Sequence, residues 1–335
     1  MSETITRDAL REAAAAWIAA GMEVAGPQRA KPGRVFYARA EAAAELLLEP
    51  CRPANSIKEF FFPRHEKLYG YRVTGAGIEL FDADAAPPPQ VVFAGRPCDA
   101  AALPILDRVF DWDYPDRFYL GRREASTVVT FACRESDAEC FCTAVGLAPD
   151  AARGSDALLV EAGDGVFEVR LLSEKGRALF AGRTAPSDLV GRAAAPPAPQ
   201  FDAARAGAFA RDRFEDPFWG AATLACLGCG ACAYTCPTCH CFDIADEGAN
   251  GRGERVRNWD ACQFEMFTLH ASGHNPRATQ GARQRQRIYH KFHVYPEKFG
   301  EILCTGCGNC GRNCPAGLGV LPLVTQIDDG KHLQA

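Results

Sequence analysis

The residues most able to do chemistry are cysteines, and their spacing says which chemistry. Two runs, Cys226-x2-Cys229-x2-Cys232-x3-Cys236-Pro237 and Cys304-x2-Cys307-x2-Cys310-x3-Cys314-Pro315, repeat one pattern. Two intervening residues let three successive sulfurs face inward from a single loop. Such a run gives three thiolates to one [4Fe–4S] cube and its fourth to the cube of the other run. The expected ligand sets are Cys226, Cys229, Cys232 and Cys314 for one cluster, and Cys304, Cys307, Cys310 and Cys236 for the other. Gly228, Gly230, Gly306 and Gly308 sit inside the loops, where φ > 0 and close backbone approach to sulfur are needed. A pair of zinc sites is the competing reading. Duplicated four-cysteine runs with Cys-Pro endings argue against it. The chemistry implied is one-electron transfer.

A third site is suggested nearer the N-terminus. Cys98 closes the run QVVFAGRPCD and Cys133 closes STVVTFAC. If these apolar runs are neighbouring parallel strands, both thiols lie at the carboxyl edge of one sheet, where α/β proteins build their sites. Cys140 and Cys142 follow shortly after Cys133. The four thiols suit a third Fe–S cluster; a zinc ion and a metal-free cluster of buried thiols are the alternatives. Arg96 and Asp99 flank Cys98, either as an ion pair or with Arg96 donating to a cluster sulfur. Cys51, isolated in LEPCRPANS, is expected to be structural. Cys239, Cys241 and Cys262 read as buried thiols beside the clusters, with a redox or ligand role as the alternative.

These thiols need a scaffold. Residues 5–20 form an Ala/Leu/Arg/Glu-rich helical segment stopped by Gly21. VFYAR (35–39), LYGYRV (68–73) and GIELFDA (77–83) read as strands, the last two as a hairpin. QVVFAG (90–95), ALPILDRVF (102–110) and STVVTFA (126–132) read as strand, helix, strand: a βαβ unit with parallel strands. DALLVEAGDGVFEVRLL (156–172) reads as a second hairpin turning at Gly163-Asp164-Gly165. Residues 186–200, ending APPAPQ, look like a linker. The expected architecture is an α/β domain over 1–200 followed by a helical two-cluster [4Fe–4S] ferredoxin-type domain over 201–335. The long spacer between the runs is expected to be helical at 259–273 and 278–292. Arg283, Arg287 and Lys291 share one helical face, read first as solvated, then as a docking surface or as charge compensation for anionic clusters. Phe60, Phe61 and Phe62 read as core.

Composition excludes several classes. At 335 residues, 47% hydrophobic and 24% charged, the chain has the make-up of a soluble globular protein. Its net charge of −5 argues against nucleic acid as a partner. The start MSETITRDAL lacks a secretory pattern, and no long uncharged apolar run suggests a membrane span. Sixteen cysteines in a chain of this length and start point to reduced thiols in a cytoplasm rather than a disulfide scaffold. No G-x-G-x-x-G follows a strand and no P-loop occurs, so neither flavin nor nicotinamide is expected on this chain.

RPCDAAALPILDRVF (96–110), ACRESDAECFC (132–142), CLGCGACAYTCPTCHCFDI (226–244), RNWDACQFEMFT (257–268), GHNPRATQGARQRQRIYHKF (273–292) and CTGCGNCGRNCP (304–315), with PANSIKEFFFPRHE (53–66), carry a resemblance over nearly the whole chain. The sequence resembles the iron–sulfur beta subunits of cytoplasmic NiFe hydrogenases (sulfhydrogenases) and the A-type iron–sulfur subunits of anaerobic sulfite reductases. The resemblance implies a non-catalytic protein of electron transfer within an oxidoreductase complex. It would work between an FAD-containing, NAD(P)H-linked partner and a catalytic module, either a NiFe hydrogenase or a sirohaem sulfite reductase. The alternative is an iron–sulfur reductase acting directly on a sulfur compound or disulfide at the N-terminal cysteines. Because Cys98, Cys133, Cys140 and Cys142 fall in the matching segments, the resemblance also supports a shared site there.

Overall fold

The computed structural model describes residues 2–30, 33–83 and 87–330. Twelve strands occur among the described residues: β1 (Ser2–Thr6), β2 (Glu23–Arg29), β3 (Val35–Ala40), β4 (His65–Thr74), β5 (Gly77–Asp82), β6 (Gln90–Ala94), β7 (Ser126–Phe131), β8 (Ala157–Gly163), β9 (Val166–Leu171), β10 (Ala185–Ser187), β11 (Phe242–Ala249) and β12 (Arg252–Trp259). Eight form one mixed sheet in the order β10-β1-β9-β8-β7-β6-β2-β3. Its centre is parallel: β2 pairs β6, β6 pairs β7 and β7 pairs β8 in the same direction.

The continuous apolar run of β6 has a simple cause. Strand residues alternate faces, and both faces are covered. Val91 and Phe93 pack with Leu10, Ala14 and Trp17 of the helix Arg7–Ala19. Val92 and Ala94 face the other way, into a core with Phe61, Phe62, Leu103 and Leu106. Leu10, Ala14 and Trp17 recur at helical spacing, and Thr6 caps the helix by accepting from Ala9 N at 3.1 Å. Phe60, Phe61 and Phe62 are core residues, as their sequence suggests.

The segment after β10 is not a free linker. Arg192 N donates to Glu161 O at 2.9 Å and Ala194 N to Cys133 O at 2.7 Å, so the chain straps along the sheet edge. Gly191 allows this: a Cβ there would lie 2.5 Å from Val160 O. Backbone donors and acceptors that would otherwise be buried unpaired are satisfied in this way.

The spacer between the cysteine runs also departs from expectation. It opens with the antiparallel hairpin β11–β12, ahead of the two segments expected to be helical. Its turn is Asn250-Gly251, both residues at positive φ (53° and 73°), as a tight hairpin turn requires. β12 pairs with β4, giving a second, four-stranded sheet β11-β12-β4-β5 that draws on both halves of the sequence. Buried Arg257 on β12 pairs with Glu66 of β4, and Trp259 Nε1 donates to Phe62 O at 3.0 Å. Residues 259–273 hold only a short 3-10 turn, Met266–Thr268. The second expected helix is present: Gln280–Tyr289 runs into a π-turn, His290–Val294, and then Tyr295–Phe299. With Ala203–Asp212, Phe218–Ala222 and Val320–Asp328 it packs a second core around Phe209, Trp219, Phe292 and Leu323.

Candidate iron–sulfur sites

Both cysteine runs fold as the glycines dictate. Gly228, Gly230, Gly306 and Gly308 have φ of 65°, 72°, 63° and 73°. Each loop turns left-handed and enters a short helix, Ala231–Tyr234 or Asn309–Arg312, carrying the third cysteine. Cys226, Cys229, Cys232 and Cys314 line one cavity. Cys236, Cys304, Cys307 and Cys310 line a second. The fourth thiol of each run thus faces the other run's loop.

The surroundings of the two cavities differ. The first is lined by neutral amides, and Gln284 Nε2 donates to Cys226 Sγ at 3.1 Å. Leu318 N donates to Cys314 Sγ at 3.2 Å, and Cys229 is exposed. All four cysteines of the second cavity are buried. Val320 N donates to Cys310 Sγ at 3.3 Å and Gly306 N to Cys304 Sγ at 3.5 Å. Two buried cations line it, Arg287 and Lys291. The Lys291 Nζ donates to Cys236 Sγ (3.4 Å), Thr238 Oγ1 (3.1 Å) and Leu303 O (3.0 Å). The Arg/Lys face is therefore no solvated surface; Arg283, Arg287 and Lys291 are all buried.

Three polar atoms at the second cavity test whether an anionic cluster fits. Arg287 Nε, Arg287 Nη2 and Thr305 Oγ1 are buried without a hydrogen-bond partner, and both residues line the cavity. Buried donors left unpaired are costly, and sulfides of an anionic cluster would accept from them. Among the described residues no group of three or more His, Cys, Asp or Glu closes around a single metal ion. Four cysteines line each cavity, the ligand number of a [4Fe–4S] cluster.

Burial pushes Cys232 and Cys304 up to about 11. Cys236 is held well below the ordinary thiol value. The hydrogen bond from Cys239 is the largest cause, followed by Lys291 and Thr238, against the opposing effect of burial. Cys239 and Cys236 form one close thiol pair; Cys241 and Cys262 form another at the base of the β11–β12 hairpin. Cys262 is pulled down to about 6, chiefly by the hydrogen bond from Cys241. Lys58, buried, donates to Cys239 O at 2.8 Å and lies 3.8 Å from the Trp259 ring centre.

The N-terminal thiols also converge. β6 and β7 are parallel neighbours, so Cys98 and Cys133 both lie just past their carboxyl ends. Cys98, Cys133, Cys140 and Cys142 line one cavity, and so does Cys51. Cys51, expected to be structural, thus stands beside thiols that are distant from it in sequence, and no spacing could announce that neighbourhood. Burial pushes Cys98 well up and raises Cys51 and Cys133 to about 12. The segment carrying Cys140 and Cys142 is clamped to the second run. Phe141 N donates to Gly306 O at 3.0 Å, and a Cβ on Gly306 would lie 2.5 Å from Cys142 Cα.

Arg96 joins this cavity to the second. It pairs with Asp99 at 2.9 and 3.1 Å and donates to Cys307 O (3.3 Å) and Asn309 Oδ1 (3.2 Å). Tyr37 OH donates to the same Asp99 at 2.6 Å. Cys307 lines both the N-terminal and the second cavity. The helices Ala231–Tyr234 and Asn309–Arg312 are in contact, which brings the first and second cavities side by side.

Fold and site together define a protein with a 4Fe-4S dicluster domain, and the chain matches that family over residues 225–318. Over 299 residues it is 30% identical to sulfhydrogenase 2 subunit beta of Pyrococcus furiosus, covering 85% of this chain and 86% of that protein. The chain belongs to the sulfhydrogenase beta-subunit family. No solved structure matches it. Among the described residues no helix is long and apolar enough to cross a membrane.

Proposed function

We propose that this chain is the electron-transfer subunit of a larger oxidoreductase complex. One observation carries the reading: three cysteine-lined cavities adjoin, the N-terminal and second sharing Cys307 and the second and first meeting at the contact of two short helices. A [4Fe–4S] cluster supplies reversible one-electron chemistry when bound. The chain's own residues hold it, donate hydrogen bonds to its thiolates and set the charge around it. The reading assigns Cys226, Cys229, Cys232 and Cys314 to one cluster and Cys236, Cys304, Cys307 and Cys310 to another. It places a third in the N-terminal cavity, among the thiols that include Cys98, Cys133, Cys140 and Cys142.

The middle cavity is buried, whereas the first reaches solvent at Cys229 and the N-terminal one has exposed Arg134 and Glu135 on its rim. Two open ends suit a protein placed between two partners. Membership of a family named for one subunit of a sulfhydrogenase supports such partners. The reading makes one of them an FAD- and NAD(P)H-binding subunit. The other is a catalytic hydrogenase or sulfite reductase module, and the complex is cytoplasmic. The α/β part over 1–200 and the dicluster part over 201–335 would then serve one path.

The test is anaerobic purification followed by iron and sulfide counts, EPR, and turnover assays. About twelve irons per chain are expected, with no turnover of hydrogen or sulfite by the chain alone. An isolated chain that reduced polysulfide with a chemical electron donor would replace the relay by a reductase acting at the N-terminal thiols.

A further inference from the structure

The first cavity opens through a mouth that carries no charge. Leu227, Cys229 and Pro315 line it and are exposed, Leu227 at 70%. Among the described residues that line this cavity, none is charged. The flanking sequence agrees: neither 218–242 nor 314–327 contains Asp, Glu, Lys or Arg. Leu224, three residues before Leu227, is 88% exposed, and Met266 is 73% exposed. Met266 belongs to the same rim. A Cβ on Gly228 would lie 3.9 Å from Gln263 O, and one on Gly230 would lie 2.5 Å from the Phe264 ring. Residues 263–264 therefore run along the cysteine loop and lead into Met266.

A leucine exposed singly is ordinary. Large apolar side chains gathered around a functional opening mark a contact surface. Among the described residues Cys229 is the one exposed cysteine, and it stands inside this rim.

The inference rests on the reading of this cavity as a cluster site and asks what covers its mouth. An electron enters or leaves a protein where a cluster comes nearest the surface. The covering molecule must then bring its own one-electron centre to this mouth. The rim also says how that molecule binds. Charged rims steer diffusing carriers into short encounters. A charge-free apolar rim gives no steering, and its contacts withstand salt; permanent subunit interfaces are built in this way. The N-terminal cavity is the contrast, with Arg52, Arg134 and Glu135 among its lining. Two copies of this chain joined at the rim would close both first cavities and leave each path without an exit there.

We propose that Leu224, Leu227, Met266 and Pro315 form the docking surface for a permanently bound, different subunit. That subunit carries its own one-electron centre and exchanges electrons with the first cluster past Cys229.

The complex purified anaerobically through a tag on the full chain gives the test, read by light-scattering mass, hydrogen exchange, iron count and EPR. Residues 222–231 and 264–269 should exchange more slowly in the complex than in the chain alone. Raising salt from about 0.1 M to about 1 M should leave that protection in place. Leu224→Asp and Met266→Asp, neither of which lines the cavity, should release the partner. The mass then falls to that of the lone chain, while the iron count and both ferredoxin-type signals keep their parent values and show that the fold is intact. Where a variant loses iron, the exchange comparison on the parent decides. A partner retained by both variants, equal exchange in the two states, or release by salt overturns the docking surface and leaves the relay reading standing. A parent that is a dimer of this chain, made monomeric by either variant, puts a second copy on the face and likewise overturns it. A parent with no first-cluster signal, or with a partner that holds no redox centre, overturns the relay reading together with the docking surface.

Discussion

In the dicluster region, three thiols of each cavity arrive from one short loop, and only the fourth comes from far away in sequence. At the N-terminal cavity the order is reversed. Cys51, Cys98 and Cys133 arrive from three separate chain segments, brought together by the parallel pairing of β6 and β7 and by the docking of residue 51 on Gly95. Local loops give a site that sequence can specify by spacing. A sheet edge gives a site that exists only once strands have paired, because each thiol's position is set by strand register. The two kinds of site meet at Cys307, which lines a cavity of each.

Cys307 is therefore the place to break the comparison most severely. Cys307→Ala is expected to remove the second cluster, about four irons, and to alter the EPR signal of the N-terminal site as well. Cys229→Ala, at the exposed end of the first cavity, should cost only the first cluster. Iron counts and spectra of the two variants side by side make the check. If Cys307→Ala left the N-terminal signal untouched, the two cavities would be independent.

A second large effect separates the first cavity from the second. Lys291→Met removes a buried ammonium with three acceptors. Breaking a buried charged set costs on the order of 3–5 kcal/mol, so thermal unfolding should move down clearly. Loss of the cation also disfavours adding an electron nearby, so the second cluster's potential should fall while the first, walled by Gln263 and Gln284, moves less. EPR-monitored redox titration reads both.

Much of this was legible in the sequence, for reasons tied to range. The two cysteine runs, their glycines at positive φ, the βαβ unit and both early hairpins follow from local signals. Asn250-Gly251 was a turn signal as well, but the surrounding FDIADEGA and RGERVRNW lack apolar alternation. That is because β11 lies almost wholly at the surface, with only Ala245 half-covered. The buried Arg287 and Lys291 were misleading for the opposite reason. Charges at helical spacing ordinarily face water, and only the thiols that these two face explain their burial. The strap at 188–200 has linker composition, yet its backbone is held to Glu161 and Cys133. Cys51 carries no local signal at all.

The two smaller tests probe contacts rather than ligands. Gly306 has φ of 63° and touches the Cys142 backbone, so it serves both kinds of site. Gly306→Ala should cost about 1–3 kcal/mol from the left-handed backbone, and more from overlap with Cys142. The N-terminal EPR signal should broaden or vanish in this variant while the first cluster's stays sharp. An unchanged N-terminal signal would mean that the clamp at Phe141 and Gly306 does not hold that site.

The smallest expected effect is at Gln284, whose amide donates to Cys226 Sγ and whose Oε1 accepts from Arg287 Nη1 at 3.3 Å. Gln284→Leu removes one hydrogen bond to a ligand sulfur, worth about 0.5–1.5 kcal/mol. For a one-electron couple, a tenfold change in equilibrium is about 59 mV. The first cluster's potential should therefore drop by roughly 20–60 mV. The second should respond less, because Arg287 keeps its charge there and loses only one acceptor. A larger fall in the second cluster than in the first would show that Gln284 acts mainly by orienting Arg287. The asymmetry between an amide-lined and a cation-lined cavity would then depend on a single side chain shared by both.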